Sequence, residues 1–249
     1  MEISKVAVLG TGVMGGQIAA HLANVGIDVY AFDVDQETAK RNIDLTSSIK
    51  PSPYYNPKNI DKITPLNYEE HLDKVKECQW VVEAVAEKIE IKNNLFQKIS
   101  KVLADDAIIT SNTSGLNLKS LADGMDERTK KRFFITHFFN PPRYMRLVEF
   151  VVSESNDAEM IEFMVEFFEN ILGKGVVFSN DTPNFIANRI GIYGMMKAID
   201  KTIKYNLSID EVDMLTGTLI GRPKSATFRT ADLAGIDVLS FVASTALNK

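Results

Sequence analysis

The stretch Ile135-Thr-His-Phe-Phe-Asn-Pro-Pro142, followed by Leu147-Val-Glu149, puts one imidazole and one carboxylate at the ends of two apolar runs. A histidine backed by a carboxylate is the usual general base near neutrality, because its unperturbed pKa is about 6.5. Phe138, Phe139 and the Pro141-Pro142 break suggest a walled pocket around His137. A structural histidine stacked under aromatic rings is the competing reading.

A second signature lies at the other end of the chain. Gly10-Thr-Gly12-Val13-Met14-Gly15 fits G-x-G-x-x-G, follows an apolar run ending at Leu9 and opens a helical pattern. Glycines in that context allow a tight turn and let backbone approach a pyrophosphate at a helix N-terminus. Asp33 ends the next apolar run at about the 20-residue spacing the motif requires. A carboxylate there accepts ribose hydroxyls and repels a 2′-phosphate, so the predicted cofactor is NAD and not NADP. The bland alternative is a glycine-rich turn with a solvated Asp33. The two signatures together suggest hydride transfer, with His137 taking a proton from a substrate hydroxyl.

Ser111-Asn-Thr-Ser114-Gly115 follows another apolar run, so its small polar side chains fall at a strand's carboxyl end. They form either a capped turn or donors to a substrate oxygen. Glu87 and Lys92 flank the end of the Trp80–Val85 run, where ligands of doubly wound sheets bind; on spacing alone they read equally as a solvated helix start. Asn188, on a later helix, is either a contact or simply exposed. Leu95, Phe96, Cys78 and Trp80 read as packing residues, and His21 in an apolar helix and His71 in a charged surface stretch take no functional reading.

These groups need a frame. Val6–Leu9, Val29–Phe32, Trp80–Val85, Ala107–Thr110, Phe133–Thr136, Leu147–Val152 and Gly175–Phe178 read as strands. Helical patterns cover about 14–26, 36–49, 88–103 and 157–172. Continuous apolar strands alternating with helices predict an α/β fold, a Rossmann-like doubly wound, mainly parallel sheet with a mixed far edge. At Asn180-Asp-Thr-Pro183 the pattern changes: Asp181 or Thr182 can cap a helix with Pro183 in its first turn. The segments 184–205, 208–219 and 229–247 then read as helix, which predicts a dinucleotide-binding domain over 1–182 and a small all-helical domain over 183–249. Its apolar positions Val212, Leu215, Leu219, Leu233, Leu239 and Phe241 need a cover, predicting a homodimer or docking on a partner.

The chain's 249 residues, 45% hydrophobic and 24% charged, suit an ordinary globular protein. A formal net charge of −5 argues against a nucleic-acid partner. A single cysteine, no leader pattern and no long apolar span lead to the expectation of a cytoplasmic protein with no membrane contact.

The combination resembles the 3-hydroxyacyl-CoA dehydrogenases over essentially the whole chain. The shared pieces are Gly10–Gly15 with Asp33, Val82-Glu-Ala-Val-Ala-Glu87, Ser111–Ser114, His137-Phe-Phe-Asn-Pro141, Leu147-Val-Glu149 and Asp181–Arg189, in family order and spacing. The segment Gly221–Asp237 is most similar to fusion proteins that join this dehydrogenase to an enoyl-CoA hydratase, so the chain looks like a fragment or a shortened relative. Gly115 and Lys88 depart from the family's common serine and asparagine.

The resemblance implies that His137 is the catalytic base, Glu149 its carboxylate, and Ser114 and Asn188 the substrate contacts. It implies cofactor contacts at Gly10, Gly12, Val13, Met14, Gly15, Asp33, Glu87, Lys92, Ser114 and Asn140. The reaction implied interconverts a 3-hydroxyacyl-CoA and a 3-oxoacyl-CoA with NAD, without a metal, as in fatty acid β-oxidation. Lys40, Arg41, Lys50, Lys58 and Lys62 gather around the loop Pro51–Pro57, with Tyr54 and Tyr55 available to stack on a ring. That chemistry suits coenzyme A, with Lys50 and Lys58 as substrate contacts, although a solvated basic loop is the alternative. Two other functions compete: a β-hydroxyacid dehydrogenase acting on free acids, and a non-catalytic NAD-binding relative or orphaned fusion fragment.

Overall fold

Short runs rich in valine and isoleucine favour strands, and here they assemble into one eight-stranded sheet of order β3-β2-β1-β4-β5-β6-β7-β8. The computed structural model describes residues 2–236 together with 239, 240 and 243. The strands are β1 (Lys5–Leu9), β2 (Asp28–Asp33), β3 (Ile63–Asn67), β4 (Trp80–Glu83), β5 (Ile108–Ser111), β6 (Phe133–Phe138), β7 (Leu147–Val151) and β8 (Gly175–Ser179). All neighbours pair in parallel except β6 and β7, so the far edge is mixed, as the sequence predicts. The strand order reverses between β1 and β4, the kind of switch point where doubly wound sheets bind ligands outside the carboxyl ends of their strands.

β3 is the element that the sequence pattern missed. Its Ile63-Thr-Pro-Leu-Asn67 carries a proline, which a sheet tolerates at an edge, and β3 is the edge strand beside β2. β4 stops at Glu83, two residues short of the expected Val85. There the Val85 N–H turns to the Glu83 side chain at 2.7 Å instead of continuing the ladder.

Helices α1 (Val13–Asn24), α2 (Gln36–Thr46) and α3 (Ile89–Ile99) follow β1, β2 and β4. Asp35 caps α2 by accepting the Thr38 N–H. The stretch expected as one helix over 157–172 is α4 (Ala158–Glu166), capped by Asp157, followed by a π turn over Phe167–Ile171. That turn buries Phe167 and Phe168 edge-on against Trp80, each with ring centroids 5.7 Å away. Cys78, Trp80, Leu95 and Phe96 are all buried, in keeping with their packing reading.

The chain divides into two compact units, residues 1–181 and 182–249. In the second, Pro183 lies in a turn and not in a first helical turn, and α5 (Ala187–Tyr205) begins four residues later. Two neighbours explain the delay: Asn184 and Phe185 both have positive φ, 62° and 46°, which no helix accommodates. Asp181 is not the cap of α5. Its carboxylate accepts the Leu118 and Lys119 N–H groups instead.

Asn206 closes α5 in the left-handed conformation, and a Ser208/Glu211 capping box starts α6 (Ile209–Thr216). Asp213 then accepts the Thr227, Phe228 and Arg229 N–H groups at the start of α7 (Phe228–Ala234). Phe241 and most of the helix expected beyond Ile236 lie outside the described residues. Among the described residues no helix is long and apolar enough to cross a membrane.

Candidate active site

The glycine turn is built by contacts that only hydrogen can satisfy. A β-carbon on Gly15 would lie 1.8 Å from the Gly10 carbonyl oxygen. One on Gly10, at φ +92°, would meet the Ala84 oxygen at 2.7 Å. Gly12 differs, because a β-carbon there would meet nothing within 4 Å. The space above it is therefore open, and Gly12 caps α1 with no side chain on the first-turn N–H groups and no acidic residue in that turn. The helix start offers unsatisfied donors and a positive dipole end to an anion.

A cavity of about 650 Å³ adjoins this turn, lined by Gly10, Gly12, Asp33, Thr38, Asn42 and Ala84–Ala86, and walled by Ile91, Asn94 and Leu95 of α3. Leu95 thus belongs to the core and to the cavity wall at once. The Asp33 carboxylate accepts the Thr11 N–H at 2.9 Å and the Thr11 hydroxyl, which fixes it at the mouth of the turn. Open backbone above Gly12, free helix donors and a fixed carboxylate fit a dinucleotide, with Val13 and Met14 opening the helix beside it.

Glu87 and Lys92 are not a solvated helix start. Lys92 is fully buried on α3, and its ammonium lies 2.6 Å from Glu83 and 3.2 Å from Glu87. The other Glu87 oxygen gathers the loop after β5: it accepts the Ser114 N–H at 2.9 Å, the Gly115 N–H at 3.2 Å and the Thr113 hydroxyl. Burial works to raise the Glu87 carboxyl, but the Lys92 charge and these bonds outweigh it and hold it below its ordinary range. The Ser111–Gly115 segment is therefore both the capped turn and the loop at a strand's carboxyl end. Its Ser114 side chain is half-buried, with Oγ 3.5 Å from Glu87.

His137 and Glu149 sit opposite one another in the antiparallel β6–β7 pairing. Nδ1 of the imidazole is 2.7 Å from a Glu149 oxygen, and both side chains are buried. Phe139 packs on the imidazole with ring centroids 4.4 Å apart, which makes the aromatic wall that the sequence suggests.

Two amides tie this pair to its surroundings. Asn112 accepts the Phe138 N–H at 2.9 Å, joining the serine loop to the histidine strand. Gln17 of α1 donates to Asn140 at 2.9 Å, joining the nucleotide helix to the residue three past His137. Asn188 is half-buried at the second position of α5, in the other unit.

The sequence missed several supports. Glu83 is buried among valines on β4, and a lone carboxylate in an apolar strand was the signal that could have found it. Lys174, just before β8, is buried and donates to the Pro142 carbonyl and, at 2.9 Å, to the Met145 carbonyl. Arg143 donates to the Ser52 and Tyr54 carbonyls at 2.7 and 2.8 Å and lies over the Tyr55 ring.

The proline loop is thus fastened to the chain that leaves His137. Tyr54 cannot stack on a ligand there: it is buried, with its hydroxyl 2.6 Å from that of Thr46. Tyr55, Lys50 and Lys58 are exposed, whereas Lys62 pairs with Asp28 at 3.1 Å. His71 is half-buried and accepts the Asn67 N–H at 3.4 Å, and His21 is buried in α1.

Residues 5–182 match the family described as 3-hydroxyacyl-CoA dehydrogenase, NAD binding domain. A "Probable 3-hydroxyacyl-CoA dehydrogenase" of Bacillus subtilis is 42% identical over 269 residues, covering 100% of this chain and 34% of that protein. One of the same name from Deinococcus radiodurans is 43% identical, covering 98% of this chain and 72% of that protein. The chain therefore spans about a third of one relative and nearly three quarters of the other. The crystal structure of 3-hydroxybutyryl-CoA dehydrogenase from Escherichia coli superposes with a TM-score of 0.84 at 26% identity, covering 100% of this chain and 53% of that one. The chain belongs to the 3-hydroxyacyl-CoA dehydrogenase family, and residues 5–182 are its NAD-binding domain.

Proposed function

We propose that this chain interconverts 3-hydroxyacyl-CoA and 3-oxoacyl-CoA thioesters with NAD, in the manner of fatty acid β-oxidation. The observation that carries the reading is the buried His137–Glu149 pair near the carboxyl end of β6, joined through Gln17 and Asn140 to the helix that follows the glycine turn at the carboxyl end of β1. Bound NAD would supply the hydride acceptor. His137 takes the proton from the hydroxyl oxygen as the carbon that bears it gives up a hydride, so the alcohol loses two electrons and two protons, one proton to His137 and the other within the hydride. Glu149 holds the imidazole in the tautomer with its proton on Nδ1 and stabilises the imidazolium that forms, the part an aspartate plays in a serine-protease triad. Ser114 and Asn188 orient the substrate oxygens.

Gly10, Gly12, Val13, Met14 and Gly15 hold the pyrophosphate, and Asp33 holds the adenosine ribose. Glu87, Lys92, Ser114 and Asn140 line the path toward His137. The decisive experiment is turnover of acetoacetyl-CoA with NADH by the purified chain and its His137→Ala variant. A fall of roughly 10²–10⁴-fold is expected for loss of a general base. Near-normal turnover by the variant would take His137 out of the mechanism.

Coenzyme A is assigned to Lys50 and Lys58, supported by their exposure on a loop that Arg143 fastens beside the exit from His137. Reversing both to Glu should raise the Michaelis constant for acetoacetyl-CoA by roughly tenfold while that for NADH stays put. If both constants hold, coenzyme A binds elsewhere. For the second unit we propose self-association: Val212 is buried, but Leu215, Leu219 and Leu233 are 49%, 70% and 73% exposed. A strictly monomeric chain by light scattering at micromolar concentrations would count against it.

A further inference from the structure

The cluster beneath the serine loop does not balance its charge. Lys92 spends its three N–H bonds on Glu83 at 2.6 Å, Glu87 at 3.2 Å and the Val85 carbonyl at 3.4 Å. Glu83 receives only donors: the Val85 N–H at 2.7 Å, Lys92, and the Ser111 hydroxyl at 2.5 Å. Ser111 Oγ accepts the Thr113 N–H at 3.3 Å, which directs its own proton to Glu83. Glu87 also receives only donors, and the hydroxyl of Thr113 accepts the Leu116 N–H at 3.0 Å, so its proton faces Glu87.

Both carboxyl groups are thus met only by donors, the surroundings that suit a carboxylate. Two carboxylates and one ammonium leave one negative charge, held by side chains of which Glu83 and Lys92 are at most 1% exposed. No other cation pairs with the cluster among the described residues. A buried charge without a counter-charge is costly, so a cation is expected against it.

The cofactor supplies one in only one of its two forms. The adenosine cavity ends at Ala84–Ala86, and the reacting carbon of the substrate must stand by His137. A nicotinamide reaching from that cavity toward His137 would pass the carboxyl ends of β4 and β5, where Glu83 and Ser111 stand. We propose that Glu83, a residue outside the assigned site, makes the cluster discriminate between redox forms, favouring the cationic oxidised nicotinamide over the neutral reduced one. Glu83 is a specificity-determining residue that touches no substrate; it acts through charge carried by the Lys92–Glu87 network. The proposal rests on the NAD-binding reading.

The test is the affinity of the full chain for NAD⁺, NADH and ADP-ribose by titration calorimetry, in the wild type and in Glu83→Gln. Glutamine removes the charge, and its single oxygen keeps the Val85 N–H while its NH₂ faces the Ser111 hydroxyl oxygen. A unit charge acting over roughly 10 Å at an effective dielectric near 20 changes affinity by on the order of tenfold. Glu83→Gln should weaken NAD⁺ by about that factor relative to NADH, with ADP-ribose, which lacks the ring, unchanged. Glu87→Gln should move the ratio in the same direction and serves if the first variant does not fold. An unchanged NAD⁺/NADH ratio, or a parallel loss of all three ligands, would overturn the proposal while leaving the dehydrogenase reading intact. A wild-type chain that binds none of the three would remove both.

Discussion

Replacing Glu149 by glutamine isolates what its charge does. The side chain is buried on β7 with an oxygen 2.7 Å from His137 Nδ1, so an amide of the same shape fits and the pairing across β6–β7 survives. What disappears is the attraction between a carboxylate and the imidazolium that forms as His137 takes the proton. With charge centres about 4 Å apart and an effective dielectric near 20, that attraction is about 4 kcal/mol, close to 10³-fold in rate.

Glutamine adds a second penalty if it turns its NH₂ toward Nδ1, because the imidazole must then carry its proton on the other nitrogen. Steady-state oxidation of 3-hydroxybutyryl-CoA at saturating NAD⁺, the direction in which His137 takes the proton, should fall roughly 10²–10⁴-fold. NADH affinity and melting temperature report whether the fold and the cofactor site persist, and both are expected to stay near wild type. A kcat within about threefold of wild type, with the fold intact, would refute the reasoning, since no buried carboxylate at this distance could then be assisting charge formation.

The glycine turn separates fold from binding. Gly15→Ala places a β-carbon 1.8 Å from the Gly10 oxygen and should cost several kcal/mol of stability by thermal melting. Gly12→Ala meets nothing within 4 Å, so it should melt like the wild type yet lose roughly tenfold in NADH affinity, because its methyl occupies ligand space. Equal melting of the two variants would contradict the geometry.

His21 gives a pH dependence. Burial first, then the charge of Lys174, pushes its pKa down from 6.5 to about 4, and the Leu172 backbone pulls weakly the other way. Between those values the unfolded chain binds a proton that the native chain refuses, so stability falls as pH falls from 6.5 to 4. The loss is as much as about 3 kcal/mol. Urea denaturation of His21→Leu should show a flatter profile across that window, and identical slopes would exclude His21 as the cause.

Much of this was legible in the sequence because apolar periodicity and glycine spacing are local signals. β1, β2 and the parallel run through β6 follow from them, and so do Gly10–Gly15, Asp33 and His137. The misses have physical reasons. β3 hid because Pro65 breaks the strand pattern that an edge position tolerates. Lys92 reads as solvated because a lysine is almost never buried without a partner, and its two partners lie five and nine residues away, before the helix begins. Tyr54 reads as available because a proline-rich loop suggests exposure. Its burial depends on Thr46, and the loop's fixed path depends on Arg143, some ninety residues downstream. Spacing along the chain carries no trace of such contacts.

The His137–Glu149 pair shows why the long-range contacts matter to chemistry. Side chains alternate faces along a strand, so a one-residue slip of β7 against β6 would bring Val148 or Phe150 opposite His137 and turn the carboxylate to the other face. Register across an antiparallel pair is set by the connection between the strands, here residues 139–146. That connection is held from three sides: Gln17 binds Asn140, Lys174 binds the Pro142 and Met145 carbonyls, and Arg143 reaches the Ser52 and Tyr54 carbonyls. Burial lowers the Lys174 ammonium to about 8, the mark of a charge kept inside for the carbonyls it binds. The same eight residues therefore fix the register that pairs base with carboxylate, tie it to the nucleotide helix, and anchor the basic loop assigned to coenzyme A. On the proposed reading a base, a hydride acceptor and a thioester must meet within an ångström or so for transfer, and one short connection reaches the elements assigned to all three.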